Sequence, residues 1–132
     1  MPRSYVLDTH ACVFMLVSPR KLGPRARTAI EAVHGGRAEA WIPAAVVAEI
    51  LLLRELGRVQ IGLRELRDTM EDVPGLRFLP LDLPQLAEFA ALGFLRDPFD
   101  RLIVSAARQL AAQLVTRDAA IEDAGVVETV WA

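Results

Sequence analysis

Apolar and polar positions alternate along the chain between short runs typical of buried strands and longer stretches with helical spacing. Gly and Pro residues separate many of these segments, as expected for turns and helix ends. The predicted strands are Ser4–Leu7, Ala38–Ile42, Leu76–Leu79, Gln113–Thr116 and Val126–Trp131. The predicted helices are Ala11–Val17, Pro24–Val33, Pro43–Leu56, Leu63–Asp72, Pro84–Leu95, Asp97–Ala111 and Ala119–Ala124.

This alternation predicts the fold class. Successive strands joined by helices pair in parallel through right-handed crossovers. We therefore expect an α/β protein with a small central parallel sheet flanked by helices on both faces. The 132 residues are enough for one hydrophobic core, and no internal repeat or long linker divides them, so residues 1–132 are expected to form a single domain.

The composition narrows the class of protein. Apolar residues make up 53% of the chain and charged residues 24%, which is typical of a globular protein. No apolar stretch reaches the roughly 18 residues that a membrane span needs, and the first residues do not resemble a signal peptide, so we expect a cytoplasmic protein without a membrane partner. The net charge of −2 excludes a protein that holds nucleic acid by bulk positive charge alone. Any contact with nucleic acid must therefore be local.

Four acidic residues lie close to points where strands end and helices begin. Asp8 follows the first strand and Asp118 follows the fourth, so both are expected at the same edge of a parallel sheet. Asp100 lies one turn into its helix, and Glu49 lies in the first half of the helix that follows the second strand. Clustered carboxylates raise one another's pKa unless a cation shares the space. Hard oxygen ligands, with no paired-histidine motif, favour Mg²⁺ or Mn²⁺ over Zn²⁺.

Each acid also has a purely structural interpretation. Asp8, Asp97 and Asp118 each precede a helix and could serve only as amino-terminal caps, and Asp100 could complete a capping arrangement with Asp97. Glu49 lies in the apolar run AAVVAEILLL, where a carboxylate has to be paired, metal-bound or neutralised. Its structural alternative is a salt bridge to a buried arginine.

Two threonines accompany the acids. Thr9 follows Asp8 directly, and Thr116 precedes Asp118 by two residues. Both are interpreted as backbone caps or as hydroxyls that orient a metal-bound water. No glycine-rich nucleotide-binding loop and no serine-hydrolase motif occurs in the sequence, so the candidate chemistry is confined to the acids.

Four segments, in order and spacing, resemble the PIN-domain ribonucleases: YVLDTHACVFML, VVAEILLLRELGRV, RDPFDRLIVSAAR and LVTRDAAI. The form with DTH, RDPFDR and a terminal VW resembles the VapC-type toxins of bacterial toxin–antitoxin pairs. The resemblance implies hydrolysis of RNA phosphodiesters with Mg²⁺ or Mn²⁺ as cofactor. It also implies that Asp8, Glu49, Asp100 and Asp118 form the catalytic, metal-binding quartet, with Asp97 as an additional acid.

The resemblance further implies a cognate antitoxin and a homodimer as partners, besides the RNA substrate. Because an acidic pocket repels RNA, nearby cations have to hold the RNA backbone. The arginines that flank the acids in sequence, interpreted either as RNA contacts or as solvated surface residues, are Arg96, Arg101 and Arg117. If the core does not cover it completely, one helix face is suited to dock an antitoxin helix, the face formed by Val47, Ile50, Leu51 and Arg54.

Two other functions are open at the level of sequence. The chain could be a catalytically inactive binding module of the same fold, with its acids serving as caps and surface charges. It could also be a metal-dependent phosphoesterase that acts on small phosphate esters or on DNA. Divalent-cation binding separates the first alternative from a nuclease, and a comparison of substrates separates the second.

Overall fold

The computed structural model describes residues 3–132 and contains a five-stranded sheet with seven α-helices in the described part of the chain. The strands are β1 (Arg3–Leu7), β2 (Ala38–Pro43), β3 (Leu76–Leu79), β4 (Gln113–Val115) and β5 (Thr129–Val130). The helices are α1 (Thr9–Val17), α2 (Pro24–His34), α3 (Ala44–Glu55), α4 (Leu63–Asp72), α5 (Leu83–Ala90), α6 (Pro98–Gln109) and α7 (Ala119–Ala124).

All neighbouring strands pair in parallel, in the order β3-β2-β1-β4-β5. Strand β1 lies at the centre, with Tyr5 opposite both Ala40 of β2 and Gln113 of β4. Successive residues of a strand point to opposite faces of a sheet, and both Val6 and Leu7 are completely buried. Both faces of the sheet are therefore covered, and the predicted fold class is confirmed.

The fifth helix and the last strand are shorter than predicted. Helix α5 begins at Leu83, where the Asp82 carboxylate accepts a hydrogen bond from the Gln85 amide, and ends at Ala90 instead of Leu95. The residues that follow form tight turns around the buried Leu92. The apolar run predicted as the strand Val126–Trp131 pairs only over β5, because Val126 and Val127 pack against the core and β4 is only three residues long.

A 3₁₀ turn at Pro19–Lys21, which was not predicted, follows α1 directly. The remaining helices and strands lie within two residues of their predicted bounds. In the described residues, no helix is long and apolar enough to cross a membrane.

Helix α3 is only partly covered by the rest of the domain. Ala45, Val46 and Ile50 belong to the core, whereas Leu52 and Leu56 are 46% and 68% exposed. Ile50 is fully buried, so the predicted docking face is wrong at that position. The uncovered face is instead a stripe of apolar residues at four-residue spacing, which we call the α3 stripe: Ala48, Leu52 and Leu56.

Candidate active site

The carboxyl ends of β1, β2 and β4 open into a cleft of about 610 Å³, lined by all five acids singled out from the sequence. The acidic lining residues are Asp8, Glu49, Asp97, Asp100 and Asp118. They come from four separate parts of the chain, and they meet because parallel strands place their carboxyl ends at one edge of the sheet. The cleft is hereafter called the acidic cleft.

Three of these aspartates cap helices while they line the cleft. One carboxylate oxygen of Asp8 accepts a hydrogen bond from the Ala11 amide at 2.8 Å. Asp97 and Asp118 do the same for the amides of Asp100 and Ile121, at 3.0 and 3.1 Å. In each case Oδ1 accepts the capping bond, so the helix cap does not occupy the second oxygen. The capping role and a role in the site are therefore compatible.

Glu49 is oriented by a threonine and has no basic partner. Its Oε1 accepts a hydrogen bond from the hydroxyl of the buried Thr9, which connects α3 to the start of α1. Within residues 3–132, no Lys, Arg or His nitrogen lies within 4.0 Å of the Glu49 carboxylate. Glu49 is also only partly buried. These features exclude the salt bridge to a buried arginine as the reason for an acid in this helix.

Thr116 supports the other side of the cleft. It is buried at the end of β4, and its hydroxyl accepts a hydrogen bond from the Asp118 amide at 3.1 Å. The Asp8 amide donates to the Val115 carbonyl at 3.2 Å, which ties the end of β1 to the end of β4. Thr116 therefore acts as a backbone cap that sets the turn carrying Asp118.

Two of the carboxyl groups have raised pKa values. Burial raises the pKa of Asp8 above its ordinary value, and the neighbouring Thr116 hydroxyl, the Ala11 amide and His10 only partly oppose this effect. Burial also raises the pKa of Asp100 to about 6, with further contributions from the negative charges of Asp97, Asp118, Glu49 and Asp8. The acids are therefore close enough to repel one another, as expected of carboxylates gathered without a compensating cation.

The donors suit a hard divalent cation that keeps part of its water. As the side chains stand, no three His, Cys, Asp or Glu residues between Arg3 and Ala132 are grouped closely enough to hold an ion directly. Mg²⁺ usually keeps several waters and binds through one or two carboxylates, so it needs no cage of protein ligands. Five carboxylates around one cleft fit that mode of binding better than the tetrahedral, nitrogen- and sulfur-rich sites of Zn²⁺.

The chain matches the family model described as the PIN domain over residues 5–127. It belongs to the PIN domain family. PIN domains are generally nucleases that use divalent metal ions. No curated protein sequence matches the chain.

Three solved structures illustrate how widely this PIN fold is shared. The crystal structure of VapBC2 from Rickettsia felis bound to a promoter DNA fragment matches with a TM-score of 0.70 and 18% identity, covering 98% of this chain and 99% of that chain. DNA-bound VapBC from Salmonella typhimurium matches with a TM-score of 0.66 and 18% identity, over 98% and 97% of the two chains. FitAcB from Neisseria gonorrhoeae matches with a TM-score of 0.64 and 22% identity, over 95% of each chain.

The three arginines singled out from the sequence occupy different positions in the PIN domain. Arg117 lines the acidic cleft, and its guanidinium lies 5.1 Å from the centre of the Phe14 ring. Arg101 turns away to α5, where its Nε donates to the Phe89 carbonyl at 2.8 Å and its guanidinium lies 4.0 Å from the Phe89 ring centre. Arg96 is exposed in the loop before α6. The structure brings only Arg117 to the cleft.

His10 is a further lining residue of the acidic cleft, and it is exposed. A lone histidine has no ligand spacing, so the one signal in the sequence is its position two residues after the strand-end Asp8.

Proposed function

We propose that this PIN domain is a metal-dependent endoribonuclease, the toxin of a bacterial toxin–antitoxin pair. The observation that carries the proposal is the convergence of Asp8, Glu49, Asp100 and Asp118 on one cleft in a chain of this family. The raised pKa of Asp100, caused first by burial and then by the neighbouring negative charges, supports it, because a bound cation would favour the ionised carboxylate. Mg²⁺ or Mn²⁺ is the proposed cofactor.

The carboxylates perform the chemistry indirectly. When bound, the cation polarises the phosphoryl oxygen and lowers the pKa of a bound water. Asp8 and Asp118 would hold the cation through oxygens that do not cap a helix, and Asp100 through its carboxylate in the first turn of α6. Thr9 orients Glu49 in the cleft. Asp97, exposed at the start of α6, is proposed as an outer ligand.

An antitoxin is proposed as the protein partner. Two of the structural neighbours are VapBC complexes, and the α3 stripe presents apolar side chains that the domain itself leaves uncovered. Exposed apolar surface of this kind marks protein–protein contacts. We propose that the antitoxin covers the α3 stripe. We also propose that the protein acts in the cytoplasm, because its proposed substrate is RNA.

A homodimer is the second proposed assembly. A separate apolar patch surrounds α5, and its exposed members are Leu81, Leu83, Leu86 and Phe94. Leu83 is the most exposed of them, at 79%. Neighbouring apolar residues that are exposed together often mark a protein–protein contact. We propose this α5 patch as the contact between two copies of the chain.

The test compares substrates and cations in parallel. Purified protein is incubated with labelled RNA, labelled single-stranded DNA and a chromogenic phosphate ester, each with Mg²⁺, Mn²⁺ or EDTA. We expect cation-dependent cleavage within the RNA only. Cleavage of DNA or of the ester would show that the protein is a different phosphoesterase and would overturn the ribonuclease proposal. Cation binding without any cleavage, or no cation binding at all, would favour the inactive binding module.

A further inference from the structure

A second cleft adjoins the acidic cleft and differs from it in charge. It has a volume of about 440 Å³, and its floor is formed by apolar side chains, those of Val13, Phe14, Val17, Leu53 and Val59. Its polar lining residues are His10, Ser18, Lys21, Arg58 and Gln60. No Asp or Glu lines it, whereas five acids line its neighbour. We call it the basic cleft.

The two clefts share the lining residue His10. This exposed imidazole lines both of them, and its ring centre lies 6.0 Å from that of Phe14 in the floor of the basic cleft. Arg117 makes a second connection, because it lines the acidic cleft while its guanidinium lies over the same Phe14 ring. A molecule held at the acids that extends past His10 can therefore reach the basic cleft.

The cations of the basic cleft are not neutralised by the domain. Within residues 3–132, neither Lys21 nor Arg58 has a carboxylate oxygen within 4.0 Å. Lys21 is exposed, and its ammonium lies 5.5 Å from the Phe14 ring centre, at the edge of the apolar floor. Apolar surface rimmed by unpaired cations suits a ligand that has a flat apolar part and a negative backbone.

We infer that the basic cleft binds the nucleotides adjacent to the scissile phosphate of an RNA substrate, with His10 stacking on a base and with Lys21 and Arg58 contacting the flanking phosphates. The inference rests on the proposed ribonuclease function and names the part of the substrate that lies outside the acidic cleft. Single-stranded nucleic acid is generally held in this way, by a cationic groove along the backbone and by rings on which bases stack.

RNA binding can be measured without cleavage. The Asp8→Asn variant serves as the background, and fluorescence anisotropy with a labelled single-stranded RNA is recorded over a range of salt concentrations. Adding Lys21→Gln and Arg58→Gln removes two proposed phosphate contacts. We expect weaker binding and a plot of log affinity against log salt that is shallower by about 1.4, since each contact to a single strand contributes about 0.7.

The matched control is the pair Arg64→Gln and Arg67→Gln in the same background. Both arginines are exposed on α4, and neither lines either cleft. Each pair of substitutions removes two positive charges, so the net charge changes equally. We expect the control to keep the salt dependence of the background. An equal loss of salt dependence in both pairs would show general charge attraction and would overturn the inference.

The stacking role of His10 is tested by a cycle with an abasic substrate in the active protein. Each RNA carries one abasic nucleotide, placed on one or the other side of the cleavage position. We expect His10→Ala to lower kcat/KM about tenfold on intact RNA and to have little further effect when the stacked base is already missing. Equal effects of His10→Ala on all substrates would overturn the stacking role.

The outcomes for the two proposals are distinct. RNA cleavage with unchanged kcat/KM in the Lys21/Arg58 variant would support the ribonuclease proposal and overturn the proposed role of the basic cleft. Salt-dependent RNA binding through Lys21 and Arg58 without cleavage would support RNA binding in the basic cleft and overturn the ribonuclease proposal. A competing acidic peptide that binds the basic cleft, with no binding of RNA there, would identify a protein contact and overturn the inference.

Discussion

At the scale of single residues, the aspartates of the acidic cleft combine two roles that the sequence presents as alternatives. Asp8, Asp97 and Asp118 each cap a helix through one oxygen, while all three also line the cleft. Asparagine caps a helix as well as aspartate does, but it lacks the charge that a cation needs. Substitution by asparagine therefore separates the structural role from the chemical one.

Asp8→Asn should abolish cation-dependent RNA cleavage and leave the fold intact. Loss of groups that merely support metal ligands costs about 10–100-fold, so we expect a loss of more than about 100-fold here. The cap at Ala11 is retained and a buried charge is removed, so the melting temperature should not fall. Asp8→Ala should have an unfolding free energy about 1 kcal/mol lower than that of Asp8→Asn, because it removes the cap. Rates from a gel assay and thermal melts check both, and full activity in Asp8→Asn would remove Asp8 from the site.

Asp100 should make the stability of the metal-free protein depend on pH. Its folded-state pKa is raised to about 6, above the ordinary value of 3.8, so the folded protein binds more protons than the unfolded chain between these values. The stability contributed by this group is therefore lost as the pH rises from about 4 to about 6. Asp8, whose pKa is also raised, acts in the same direction.

Asp100→Asn removes the loss of stability that ionisation of Asp100 causes in the folded protein. We expect the variant in EDTA to be more stable than the parent at pH 7.5, by about 1 kcal/mol after allowance for partial exposure, and equal to it near pH 3.5. Mn²⁺ should raise the melting temperature of the parent more than that of the variant. Chemical denaturation at several pH values measures the difference. A variant that is less stable than the parent at pH 7.5 would contradict the raised pKa of Asp100.

At the scale of elements, the site depends on contacts between neighbours that are distant in sequence. Thr9 begins α1 and Glu49 lies on α3, and their hydrogen bond is the side-chain link that orients the glutamate. The sequence predicts both residues as candidates, but it does not indicate that they are partners. Periodicity places a residue on a helix, whereas the packing of α1 against α3 decides what it meets.

Thr9→Val should impair catalysis without unfolding the domain. Valine keeps the shape of the buried side chain and loses only the hydroxyl, so Glu49 should become mobile in the cleft. We expect kcat to fall about 10-fold and a higher Mn²⁺ concentration to be needed for half-maximal activity. Thr9→Ser, which retains the hydroxyl, is the control and should recover most of the rate. Equal losses in both variants would indicate a packing effect instead.

At the level of the whole molecule, the described residues include two groups of exposed apolar side chains that are close in sequence, the α3 stripe and the α5 patch. The exposed leucines of the stripe follow one another at the spacing of a helical turn, so they present a single face to a partner. The patch around α5 lies on a different helix, which predicts two independent interfaces.

Leu52→Lys with Leu56→Lys should weaken antitoxin binding and spare the homodimer. Burial of a leucine contributes about 1.5–3 kcal/mol, so each substitution should weaken the complex by about tenfold or more. Leu83→Lys should have the reverse effect, producing monomers in analytical ultracentrifugation while antitoxin binding persists. Each variant is the control for the other. Loss of both antitoxin binding and dimerisation in either variant would show that the two interfaces are not independent.

Local periodicity and helix capping were sufficient to predict the order of strands and helices, the parallel sheet and the strand-end positions of the acids. The fold was needed to establish that Thr9 orients Glu49, that Arg117 alone of the three arginines reaches the acidic cleft, and that Lys21 and Arg58 meet His10 in the basic cleft. Lys21 and Arg58 are separated by 37 positions and share no motif. Such pairs meet through the packing of helices and loops, and a local pattern carries no record of that packing.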